Sequence, residues 1–132
     1  MELPKKYQKF MPEPTEFPGF PTKPKSNYWC YPRIVNGWWN ILTGSEQKVL
    51  DYILRHTWGY DKDCDAISYS QFEKGIFSKK EKKWIDKGTG LPLRSIARAI
   101  KGLEKKAFII VVKKQGKTSV YKLKTTAKRT EE

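Results

Sequence analysis

The chain has 132 residues, a formal net charge of +13, 38% hydrophobic and 14% aromatic residues, and five tryptophans. Length and ring content provide for one hydrophobic core and exclude a multidomain enzyme or a collagen-like chain, and no apolar run approaches the ~20 residues a membrane span needs. The charge calls for a polyanionic partner, nucleic acid first and an acidic membrane surface second. The opening Met1-Glu2-Leu3-Pro4 carries no apolar leader, which predicts a cytoplasmic chain. In that compartment Cys30 and Cys64 are expected to be two free thiols.

Charge is not spread evenly. Residues 92–132 hold 12 basic and three acidic side chains, net +9, while 1–27, 28–60 and 61–91 carry net +2, +1 and +1. Such a concentration predicts one binding face near the C-terminal end, against the plainer reading of a solvated surface with a basic tail.

Residues 1–27 contain six of the eight prolines, and Pro18, Pro21 and Pro24 recur every third residue, the period of polyproline II. A Pro-rich flexible arm over 1–27 is predicted, followed by one folded domain over 28–124 and a disordered polar tail over 125–132. In the aromatic segment Tyr28-Trp29-Cys30-Tyr31-Pro32 and the pair Trp38-Trp39, the rings are expected to pack into the core or to lid the first helix.

Thr43-Gly44-Ser45-Glu46 has the form of a capping box, and Val49, Leu50, Ile53, Leu54 and Trp58 follow at helical spacing, which predicts a first helix ending at Gly59. Asp51 and Arg55 are placed to pair at i,i+4. Asp61, Asp63 and Asp65 imitate the start of a calcium loop, but Ala66 stands where the sharp turn needs Gly and Phe72 where a bidentate Glu is needed. A solvated turn is expected there, and no metal.

Ser68-Tyr69-Ser70-Gln71 is a second capping box, predicting a short helix that buries Phe72 and stops at Gly75. Residues 76–89 form a lysine-rich insertion, a short hairpin or an ordered loop, with Phe77, Trp84 and Ile85 as possible anchors. The third helix is predicted from Pro92, at the first helical position, to Lys106. Its apolar stripe is Ile96, Ala99, Ile100 and Leu103. At 100° per residue, Arg94, Arg98, Lys101 and Lys105 fall within about 60° of one another on the opposite side. The β-branched run Phe108–Val112, the turn Lys113-Lys114-Gln115-Gly116-Lys117 and the alternating Ser119–Lys124 predict a hairpin with a basic tip.

A mainly α chain with a small β-hairpin, three short helices and then a basic wing, has the order of a winged helix-turn-helix. The major groove, about 12 Å wide, admits one helix whose first turns reach base edges, while lysines farther along or on a wing reach phosphates. The expected recognition-helix residues are Leu93, Arg94, Ser95, Ala97, Arg98, Lys101 and Lys105, and the expected wing contacts are Lys113, Lys114 and Lys117. Lys79, Lys80, Lys82 and Lys83 are further candidates for phosphate contacts. His56 is expected as a surface or core-edge residue. With one His, two distant Cys and no Gly-rich phosphate loop, neither catalysis, metal nor cofactor is expected.

LTGSEQKVLDYILRHTWGYDK, ISYSQF, GTGL and RSIARAIKGLEKKAFI, over roughly Asn36 to Val112, resemble the N-terminal winged-helix domain of phage replication protein O-type initiators. The resemblance implies sequence-specific binding of double-stranded origin DNA through the third helix. In such proteins a further C-terminal region recruits the helicase machinery, for which 132 residues are expected to leave no room; a homodimer on repeated half-sites and replication-machinery proteins are the candidate partners besides DNA. The chain departs from that pattern in the insertion at 76–89 and in Pro92-Leu93, where a polar cap is common. A transcriptional regulator of the same fold, or a winged-helix protein adaptor, are the alternatives.

Overall fold

The structure is a computed structural model and describes residues 19–20, 22–23, 25–26 and 28–126. The Pro18/Pro21/Pro24 repeat of the predicted arm, and residues 127–132 of the predicted tail, lie outside the described residues.

Three α-helices, α1 (Gly44–His56), α2 (Tyr69–Lys74) and α3 (Leu93–Lys105), are preceded by a 3₁₀ segment, Arg33–Ile41. Strands β1 (Cys64–Ala66), β4 (Ile109–Val112) and β5 (Val120–Leu123) form one antiparallel sheet in the order β1-β5-β4, and β2 (Ile76–Ser78) pairs with β3 (Lys83–Asp86) in a separate hairpin. The chain is thus helices with a small antiparallel sheet, richer in strand than one β-hairpin. The insertion at 76–89 is the hairpin.

The first two helices start where a side chain satisfies a free N–H group, and α3 starts after Pro92 with no side-chain cap. The Thr43 hydroxyl accepts from Glu46 N at 3.1 Å, and Thr43 N donates to Glu46 Oε1 at 2.9 Å, so both halves of the capping box form. At α2 only half of the predicted box forms. The Ser68 hydroxyl accepts from Gln71 N at 3.0 Å, while the Gln71 side chain is turned to the Tyr52 hydroxyl instead. Pro92 is the N-cap of α3 and not its first helical residue, because its ψ of 155° is still extended. The first helix ends at His56, short of Gly59, and the left-handed residue after it is Asp61 at φ 60°. Asp51 and Arg55 do not pair. Tyr31 donates to Asp51 at 2.5 Å, and Arg55 donates to Gly59 O at 3.2 Å with its guanidinium over the Tyr60 ring.

The core joins Val49, Leu50, Ile53 and Leu54 of α1, Phe72 of α2, Ile96, Ala99, Ile100 and Leu103 of α3, and Ile109, Tyr121 and Leu123 of the sheet. β5 is the central strand, and its Tyr121 and Leu123 turn inward while Lys122 stays exposed. β1 corrects the expectation of a solvated turn at 61–65: Cys64, Asp65 and Ala66 lie opposite Lys122, Tyr121 and Val120. Lys62 takes the Asp65 carboxylate at 2.6 Å.

Two close approaches need glycine. A Cβ on Gly102 of α3 would lie 2.0 Å from Glu46 Oε2, so α1 and α3 meet at van der Waals range only because position 102 lacks one. At the root of the β2–β3 hairpin, Gly75 and Gly88 have φ of +88° and +74°, and a Cβ on either would lie within 2.6 Å of backbone atoms of the opposite strand root or of α2.

The aromatic expectation holds for Trp29 and Tyr31, which pack on the core, whereas Trp38 and Trp39 are each 49% exposed and not core, Trp38 lining a groove with Leu50 and Leu54 of α1. The reason is the three-residue turn of the 3₁₀ segment: Val35, Trp38 and Ile41 share one face. Val35 is buried in the core, while Trp38 and Ile41, farther along that face, wall an open groove of about 290 Å³ with Leu54, Trp58 and Phe108.

Candidate nucleic-acid interface

α3 is amphipathic in the sense needed for docking. Ile96, Ala99, Ile100 and Leu103 are buried, while Arg94, Arg98, Lys101 and Lys105 are all exposed. The four cations therefore stand on one solvent-facing side, held by a helix whose other side is the core. Ser95 and Ala97 flank them, half-buried, and Leu93 at the first turn is 48% exposed. Among these residues only Leu93 is a large apolar group facing water.

The helix is fixed against α1 by an ion pair. Lys106 reaches back to Glu46 Oε1 at 2.6 Å and to Ile41 O at 2.6 Å. Burial pushes the Glu46 carboxyl up, but Lys106 and the Thr43 N–H outweigh it and hold the group below its ordinary value. Glu46 is only 6% exposed, so helix cap, interhelix contact and charge pair are one cluster.

The wing lysines Lys113, Lys114 and Lys117 are exposed around the β4–β5 turn, which Lys117 N closes on Lys114 O at 3.0 Å with Gly116 at φ +71°. Lys79, Lys80, Lys82 and Lys83 are exposed at the end of the β2–β3 hairpin, where Glu81 N donates to the Ser78 hydroxyl at 3.1 Å. Both sets project from turns, with no scaffold for a two-pronged contact to one base.

Sequence reasoning did not foresee the latch that aims this hairpin. Asp86, the last residue of β3, accepts from Tyr52 at 3.1 Å and from Gly88 N at 2.8 Å, and lies 2.9 Å from His56 Nε2. His56 is correspondingly buried, inside the position expected for it, with its ring 4.4 Å from that of Tyr52. Burial and the Asp86 charge push the Tyr52 hydroxyl well above its usual range, so it stays a donor. Thr89 adds bonds from its N–H and hydroxyl to Phe72 O at 2.7 and 2.8 Å. The signal for this in the sequence was Asp86-Lys87-Gly88, an Asp whose side chain can cap the amide two residues on. The partners Tyr52 and His56 carried none.

No family model matches the chain, and neither a curated protein nor a solved structure matches it. Among the described residues, no three His, Cys, Asp or Glu side chains gather to hold a metal ion, and no helix is long and apolar enough to cross a membrane. Cys30 and Cys64 are exposed, free thiols.

Proposed function

We propose that this chain is a winged helix-turn-helix protein that binds double-stranded DNA by sequence, laying α3 in the major groove and the β4–β5 wing along phosphates. The element order α1-β1-α2-β2-β3-α3-β4-β5, with β5 central in its sheet and the β2–β3 hairpin inserted before α3, supports the winged-helix reading. The observation that carries the function is the exposed set Arg94, Arg98, Lys101 and Lys105 on a helix whose opposite side is core. Arginine in the first turns suits bidentate reading of guanine, and lysine farther along suits phosphate. In the phage initiator setting that the sequence resembles, the target is origin DNA, the work is cytoplasmic, and the partners are a second copy on a repeated half-site and replication proteins. A transcriptional regulator uses the same surface.

The test is binding to duplex DNA across salt concentrations. Neutralising about six phosphates gives a slope of log K against log salt near −5. Once a site is selected from random sequence, Arg98→Ala should cost about 1–3 kcal/mol of preference for it, with stability changed by no more than about 0.5 kcal/mol. A slope near zero, or undiminished selectivity in Arg98→Ala, overturns the reading.

A second reading, a protein-binding adaptor, is favoured by the groove walled by Val35, Trp38, Ile41, Trp58 and Phe108. It places its partner at the C-terminal end of α3, beside Lys106, and leaves the cationic side unused.

A further inference from the structure

The β2–β3 hairpin is held more firmly than a solvated insertion requires, and it presents more than charge. Its root is locked by the Asp86 bonds to Tyr52, His56 and Gly88 N, by the facing Gly75 and Gly88, and by Thr89 on Phe72 O. Beyond that root, Phe77 and Trp84 stand opposite each other across the strands with ring centroids 5.2 Å apart, edge to face. They are 46% and 42% exposed. The turn next to them carries Lys79, Lys80, Lys82 and Lys83 against Glu81, and the hairpin's other carboxylate, Asp86, is occupied at the root. Two aromatic faces open to water beside four cations is the combination that takes single-stranded nucleic acid, with rings stacking on bases and lysines holding the phosphates between them. The rings lie outside the core cluster, so packing in the core does not account for the pair.

We propose that this hairpin is a second nucleic-acid site, for unpaired bases, with Phe77 and Trp84 as the stacking platform and Lys79, Lys80, Lys82 and Lys83 as the phosphate contacts. The second strand returns to Asp86, and Lys87–Pro92 lead directly into α3, so the hairpin's root immediately precedes in the chain the helix assigned above to the major groove. Joint use on one DNA rests on that assignment. The protein then engages a duplex through α3 and a locally opened strand through the hairpin.

The experiment uses the full chain and three fluorescein-labelled probes: a duplex, the same duplex with a central unpaired bubble, and oligothymidine. Wild-type protein should bind the bubble about tenfold more tightly than the duplex, the scale of stacking on one or two bases. Trp84→Ala and Phe77→Ala should each remove most of that preference and leave duplex affinity unchanged, while Trp84→Phe keeps it. A readout independent of the alanine variants' folding is ¹⁹F NMR of 5-fluorotryptophan-labelled protein, in which the resonance lost in Trp84→Phe should shift on adding oligothymidine. No bubble preference in the wild type, equal losses on duplex and bubble, or a Trp84 resonance that stays put would each overturn the proposal. A protein that binds oligothymidine through Trp84 but binds no duplex would sink the major-groove assignment and leave the hairpin site standing.

Discussion

Replacing Gly102 by Ala should destabilise the protein even though alanine is the better helix former. In isolation the change gains about 0.5–1 kcal/mol in a helix interior. Here the new Cβ would lie 2.0 Å from Glu46 Oε2 and 3.0 Å from the Glu46 carboxyl carbon. Relief to ordinary contact needs a shift of about 1.4 Å. A free glutamate would swing away at little cost, but Glu46 is buried and its Oε1 holds both Thr43 N and Lys106 Nζ. Moving it forfeits the bond from Thr43 N, about 1 kcal/mol, and loosens a buried charge-assisted bond worth about 1.5–3 kcal/mol. The net expectation is a loss of about 2 kcal/mol, read as a lower urea midpoint at unchanged slope. The mechanism makes a sharper demand on the double variant. In a Glu46→Ala background the obstacle is gone, and Gly102→Ala should then stabilise by about 0.5–1 kcal/mol. If Gly102→Ala costs the same with and without Glu46, the close approach of α1 and α3 at this point is not what makes position 102 glycine.

The same cluster has a pH signature. The folded Glu46 carboxyl binds its proton less readily than the ordinary 4.5 of the unfolded chain, so its contribution is complete above about that pH and is lost as pH falls through the lower folded value. The stability gap between wild type and Glu46→Gln, measured by urea unfolding, should therefore be constant near neutrality and shrink below pH 4.5; a gap that widens on acidification contradicts the sign. On the wing, Lys113, Lys114 and Lys117 surround a turn with no bidentate geometry, so replacing all three by Ala should weaken target and random DNA by a similar factor in competition assays. A loss confined to the target would make the wing a reader of sequence.

What could be read from the residues alone was what depends on neighbours in the chain. The Thr43/Glu46 box starts α1 and the Ser68 hydroxyl starts α2 because a cap's partner is three residues away. The two sides of α3 follow from the 100° step of a helix, so Ile96, Ala99, Ile100 and Leu103 could be assigned to the core and Arg94, Arg98, Lys101 and Lys105 to solvent before any fold was known. The alternation of Tyr121 and Leu123 with Lys122 is legible for the same reason. Tertiary structure decided what depends on partners far along the chain. Cys64–Ala66 is a strand only because β5 offers it an open edge, and its own Asp-rich residues have no period to announce it. Asp86 closes a latch because α1 brings Tyr52 and His56 to it. Arg55 passes over Asp51 because Gly59 O and the Tyr60 ring are within its reach, and Tyr31 has already taken the carboxylate. Gly102 looks like a weak point in a helix until Glu46 of another helix is found where its side chain would be. Local periodicity and capping act over one or two turns and are written in order; burial, ion pairing and edge pairing act between segments whose meeting no short window of sequence contains.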